Sequence, residues 1–197
     1  MRQRSIYAGP WRVDVTVRAG VTAPLPLARL ARAVAAALDA AGAPKPASIG
    51  VFLSDDSELG ALNSEHMGEA GPTDVLSFPL LPPETFGTTS AAADPLPPGR
   101  RPHLGDMVVS VERAEEQARE GRGGQTGDVR WSVGDELLLL VTHGALHICG
   151  WDHAEPADEA AMRALENRLL EAGWVASRPA RRFARPRPGP RSRSGAR

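Results

Sequence analysis

The sequence is poor in several things, and each shortage removes a class of answers. It has one cysteine, Cys149, so no disulfide can form within the chain, which fits a reducing compartment. Its purely aliphatic stretches, such as residues 137–141, fall far short of the roughly 20 apolar residues a membrane-spanning helix needs. The opening residues, MRQRSIYAGPWRVDV, hold neither an apolar run nor a small-residue cleavage site, so no signal peptide is expected. No internal repeat stands out. These absences point to a cytoplasmic protein with no membrane association.

What is present suits a globular protein. Apolar residues make up 42% of 197, enough for one domain with a good-sized core. The net charge of −1 hides an asymmetry. Residues 178–197 hold eight Arg and no Asp, Glu or Lys, which leaves 15 basic against 24 acidic residues, or −9, in the rest. The expected division is a domain over residues 1–176 and a disordered Arg/Pro-rich tail over 177–197. That tail is either a passive solvated extension or a contact to a phosphate backbone that weakens with salt.

Alternating Val13, Val15 and Val17 predict a half-buried strand over residues 11–18. Residues 26–41 read as a helix begun by Pro26 and stopped by Gly42. A second strand follows at 48–53, with Ser54 as N-cap of a helix over 55–66. A third strand covers 75–78, and six prolines mark a long surface loop over 81–102. A fourth strand covers 107–110, ahead of a charged helix over 112–119 and a Gly-rich stretch at 121–127. The last two helices are expected at 132–149 and 157–172, the final one begun by Pro156 and closed by Gly173. This order predicts an α+β fold: a small mixed four-stranded sheet covered by helices.

The chemistry concentrates in THGALHICGWDH, where His143, His147 and His153 fall in H-x3-H-x5-H spacing. Helical residues four apart lie one above the other, with Cβ atoms about 5–6 Å apart, so His143 and His147 can aim at one point. Gly150 stands where a left-handed residue would end the helix and turn the chain, returning His153 as a third ligand. The plainer alternative, helix-surface or core histidines, does not explain the third His and the Gly together. Three neutral imidazoles suit one Zn2+ per chain and leave a fourth position open. An open zinc acidifies bound water, and neutral ligands leave its charge to favour an anionic substrate such as a phosphodiester. Cys149, about 200° around the helix from His147, reads as a buried apolar-like residue.

Two carboxylates are candidates to support the imidazoles. Glu136 lies two turns before His143 on roughly the same face, and Asp152 adjoins His153. Each has a plainer role open to it: the helix dipole for Glu136, capping or solvent exposure for Asp152. The spacing also fits the zinc-protease pattern H-E-x-x-H-x-x-G-x-x-H, but the position of its base is Gly144, which disfavours a zinc peptidase.

HGALHICGWDH resembles the H-G-x-L-H-x-x-G-[YW]-D-H signature of the YbeY family of bacterial rRNA maturation factors and endoribonucleases. Residues 71–80, GPTDVLSFPL, and 103–110, HLGDMVVS, resemble two further segments of that family in the same order, and Leu62-Asn63 stands at its L-N pair. The resemblance spans residues 13–172. It implies a zincin-like fold and one zinc on His143, His147 and His153. It further implies single-strand-specific cleavage of RNA, maturation of the small-subunit rRNA 3′ end, ribosome quality control and contact with the small ribosomal subunit. One position departs: Met67 stands where many members carry an Arg that holds RNA phosphate, and the neighbouring His66 is either a surface histidine with no such role, the favoured reading, or a partial substitute. Thr73-Asp74 and Gly105-Asp106 are read as turn-fixing residues at strand entries, with an RNA groove as the alternative for the first pair and a place near the active site as the alternative for Asp106. Neither the attacking nucleophile, water or the RNA 2′-OH, nor a general acid or base is identified. The competing readings are a zinc peptidase and a non-enzymatic ribosome-assembly factor with structural zinc.

Overall fold

The computed structural model describes residues 1–86, 101–120 and 131–177. Most of the expected proline-rich loop, the Gly-rich stretch and the Arg-rich tail lie outside the described residues. Within them the chain runs β1 (Arg2–Ala8), β2 (Trp11–Val17), α1 (Leu27–Ala40), β3 (Ala47–Ser54), α2 (Asp56–His66), β4 (Val75–Pro79), β5 (His103–Ser110), α3 (Val111–Glu120), α4 (Val133–Ile148) and α5 (Pro156–Ser177). A 3-10 turn, Pro83–Thr85, falls inside the expected loop.

The sheet has five strands, not the expected four, in the order β1-β2-β3-β5-β4. The strand absent from the sequence reading is β1, RQRSIYA, whose charged and mostly exposed residues carry no buried alternation. It pairs antiparallel with β2, from Arg2 opposite Val17 to Ala8 opposite Trp11. Gly9, with φ 61°, and Pro10 form the two-residue hairpin loop between them. β2, β3 and β5 are parallel, and β4 closes the far edge antiparallel to β5.

Strand alternation divides the core. Val13, Val15, Ile49, Val51, Met107 and Val109 join Leu30, Val34 and Leu38 of α1 and Leu137, Val141 and Leu146 of α4 in the main core. The opposite face carries a smaller cluster, Leu59, Leu76 and Val108 with Phe52, Leu62 and Phe78, covered by α2. α4 buries twelve of its residues, so it is a core helix rather than a surface one. Its N-terminus is a capping box: Ser132 Oγ accepts from the Asp135 amide at 3.2 Å, and Asp135 Oδ2 accepts from the Ser132 amide at 3.1 Å.

Three boundaries differ from expectation. The α2 cap is Asp55, which accepts from the Glu58 amide at 2.9 Å, while Ser54 stays in β3 and hydrogen-bonds the Glu58 side chain. β5 begins at His103, so Gly105 and Asp106 are strand residues and not a turn. At Gly105 the backbone has φ 154°, and a Cβ would stand 2.4 Å from the Phe78 carbonyl oxygen. α5 continues through Gly173 to Ser177, because glycine permits a helix stop without forcing one and Gly173 is not among the positive-φ glycines. The next proline is Pro179, two residues past the helix end.

Candidate metal centre

The histidines meet because of how α4 ends. Cys149 caps the helix, and Gly150 takes φ 82°. The Gly150 amide then donates to His147 O at 2.9 Å and the Trp151 amide to Leu146 O at 3.1 Å. This is the paired bonding of a Schellman turn, which satisfies the last carbonyls and reverses the chain. A Cβ at Gly150 would also lie 2.4 Å from Pro83 Cγ, so the position lacks room as well as a compatible backbone for any other residue.

The turn carries His153 back over the helical pair. One ligating atom from each of His143, His147 and His153 lies within 4.8 Å of the others, an arrangement that can hold a metal ion. The two helical Nε2 atoms are 3.0 Å apart. Ligands about 2.0–2.1 Å from a tetrahedral zinc stand roughly 3.3 Å from each other, so an ion requires only a small opening. The His143 and His153 rings stack at 5.6 Å between centroids, and His147 stands edge-on to both. His143 and His147 are half-buried and His153 is exposed, so the cluster meets solvent on one side.

Burial pushes the His147 imidazole below its ordinary pKa, and the neighbouring His143 and His153 push the same way. A backbone hydrogen bond at Trp151 and the Asp152 carboxylate oppose them without prevailing. The lowered value favours the neutral, ligating form at neutral pH. Burial also raises the Cys149 thiol to about 12, and Cys149 is not part of the metal-competent group among the described residues.

The two candidate carboxylates have other partners. Glu136 is fully buried and accepts a 2.6 Å hydrogen bond from Trp131 Nε1. Asp152 is exposed and accepts from the His153 backbone amide at 2.7 Å. The carboxylate that meets an imidazole of the cluster is Glu166 of α5, whose Oε1 lies 2.7 Å from His143 Nδ1. Sequence reasoning missed it, although a signal existed: Glu166 interrupts the apolar stripe Met162, Leu165, Leu169.

Gly144 is packed into the sheet. A Cβ there would lie 3.0 Å from Val75 Cγ2 and 3.3 Å from Met107 Sδ, and the Gly144 carbonyl accepts from Ser77 Oγ at 3.0 Å. A glutamate at this position would have to displace those side chains.

A cleft of about 1240 Å³ runs between α1, α4 and α5 and reaches His143 and His153. Arg29, Arg32 and Arg163 line it. Arg29 lies 3.4 Å from Asp135 and Arg163 pairs with Glu159 at 2.5 Å, whereas Arg32 is exposed with no ion-pair partner among the described residues. Met67 caps the end of α2 at 53% exposure, and His66 sets its ring edge-on to Phe78 at 5.2 Å. Asp74 accepts from the Val75 amide and from Gln117 Nε2, both at 2.9 Å, which fastens the β4 entry to α3. Asp106 Oδ1 and His103 Nε2 are 2.9 Å apart.

Residues 22–173 match the family described as Endoribonuclease YbeY. The Endoribonuclease YbeY of Thermobifida fusca is 42% identical over 165 residues, covering 82% of this chain and 93% of that protein. That of Symbiobacterium thermophilum is 41% identical over 133 residues, covering 68% and 76%. The solution structure of TM1509 from Thermotoga maritima aligns with a TM-score of 0.51 over 82% of this chain and 90% of that one, and at 23% identity it bears on the fold alone. A match over most of the chain, with the histidine block inside it, leaves one assignment: the chain belongs to the Endoribonuclease YbeY family.

Proposed function

We propose that this chain is a zinc-dependent endoribonuclease that cuts single-stranded RNA during maturation of the small-subunit rRNA 3′ end and in ribosome quality control. The observation that carries this reading is the convergence of three imidazoles within 4.8 Å, with one side of the cluster open to solvent. His143, His147 and His153 would hold one Zn2+, a donor set suited to that ion. When bound, zinc supplies a Lewis acid that polarises a phosphoryl oxygen or acidifies water at the open side.

The chain's own residues supply position and charge. The cleft of about 1240 Å³ beside His143 would receive the RNA strand, and Arg32, Arg29 and Arg163 on its lining would meet phosphates where Met67 cannot. The helix pair, the Gly150 turn and the third histidine are read as a zincin-like centre on a domain spanning residues 1–176. The Arg-rich tail at 177–197 adds contacts to rRNA on the small subunit, and the cytoplasm is the compartment where that substrate is met. No helix among the described residues is long and apolar enough to cross a membrane.

The test is zinc content and cleavage of a single-stranded RNA by the purified protein, with His143→Ala and His147→Ala alongside. Wild type should hold one zinc and cut, and both variants should lose zinc and cutting together. Wild-type zinc binding in the double variant would refute the site. The exposed Met67 favours one second reading, an assembly factor with structural zinc. In that case zinc removal lowers the melting temperature while RNA stays intact even in enzyme excess.

A further inference from the structure

We infer that Glu166 is the positioning residue of the metal centre, fixing which nitrogen of His143 faces the ion and tying the docking of α5 to ion binding. The inference rests on the metal-site reading above.

Glu166 is 9% exposed and its Oε1 lies 2.7 Å from His143 Nδ1. A carboxylate offers only acceptors, so the ring proton sits on Nδ1. The Nε2 lone pair is then free, and Nε2 is the atom 3.0 Å from His147 Nε2, where the rings converge. The other tautomer would set a lone pair against the carboxylate and a proton where the ion belongs. Ring orientation and tautomer are thus set from a different helix than the one carrying the ligand.

The same bond couples two elements. Among the described residues of α5, Met162, Leu165 and Glu166 are the buried ones, at 2%, 6% and 9% exposure. They form one narrow stripe at i, i+3, i+4 spacing. Leu169 and Leu170 extend this face as partly buried residues on the same core, so Glu166 is a carboxylate set among apolar anchors, which would be costly without its imidazole partner. Ligation through Nε2 polarises the N–H at Nδ1 and strengthens its bond to Glu166. By linkage, the ion then holds α5 down, and a docked α5 tightens the ion.

The test compares metal-stripped wild type, Glu166→Ala and Glu166→Gln. Zinc affinity is read by competition with a chromogenic chelator, site geometry by the visible spectrum of added Co2+, and α5 docking by amide exchange with and without zinc. Glu166→Ala should weaken zinc about 10–100-fold and alter the Co2+ bands. Glu166→Gln, which keeps an acceptor in place, should recover part of that loss. Zinc should slow exchange across residues 156–177 in wild type and not in Glu166→Ala. Should Glu166→Ala fail to fold, the Gln variant and the wild-type exchange decide. Equal zinc affinities, with only a lower melting temperature of the zinc-free variant, would overturn the inference and leave Glu166 a packing residue. A wild type that takes up no zinc would overturn the metal site itself and the inference with it, so the two failures are distinguishable.

Discussion

The Cβ that Gly150 lacks would stand 2.4 Å from Cγ of Pro83, so the bend that delivers His153 is wedged against a proline ring in the 3-10 turn that follows β4. Gly150→Ala meets both that contact and a backbone angle of φ 82°. The expected loss of stability is about 1–3 kcal/mol by urea denaturation of the zinc-free protein. Displacement of His153 should also weaken zinc by roughly tenfold or more. A variant with unchanged zinc affinity would show that the bend does not set the third ligand.

Cys149 should be nearly inert. With its thiol raised to about 12, the thiolate fraction near pH 8 is on the order of a thousandfold below that of a free cysteine. Alkylation by iodoacetamide, followed by mass spectrometry, should be slow in the native protein and fast in urea. Rapid native labelling would contradict the buried environment.

Glu58 gives a stability term with a definite sign. Burial raises its pKa, but hydrogen bonds from Arg18 and Ser54 and the Arg18 charge together bring it below the ordinary 4.5. A carboxylate lowered on folding contributes stability that is complete above 4.5 and is lost as pH falls through the folded value. Glu58→Gln should therefore lower the urea midpoint near about pH 6, with the gap to wild type narrowing as the pH falls below 4.5. A gap that persists in acid would assign the effect to shape and not to charge.

Arg32 is predicted to act on RNA binding. Arg32→Ala should raise KM several-fold with kcat within about twofold of wild type, the pattern of an interaction shared by ground and transition states. The slope of log affinity against log salt should fall by about 0.7, the loss of one single-strand phosphate contact. Unchanged KM and salt slope would remove the α1–α5 cleft as the RNA path.

The helical parts of this protein were legible where a local signal fixed them. His143 and His147 at i, i+4 and a glycine three residues later define the α4 end within one turn of sequence. Asp55 and Ser54 could both cap α2, and only the packing of Ser54 into β3 decides between them. β1 was invisible because an exposed edge strand has no face to bury, although Gly9-Pro10 between two short runs is a hairpin signal. Glu166 breaks an apolar stripe and could have been marked, but its pairing with His143 was out of reach for a different reason. Its partner is 23 residues away on another helix, a distance no local pattern spans.

The five strands all precede residue 111, while the three imidazoles all follow residue 142. On a chain made from its N-terminus, every residue of the sheet is therefore synthesised before the first ligand, and Glu166 later still. An ion held by the three imidazoles would therefore fasten α4, the bend at Gly150 and α5 onto a sheet whose residues are all made first.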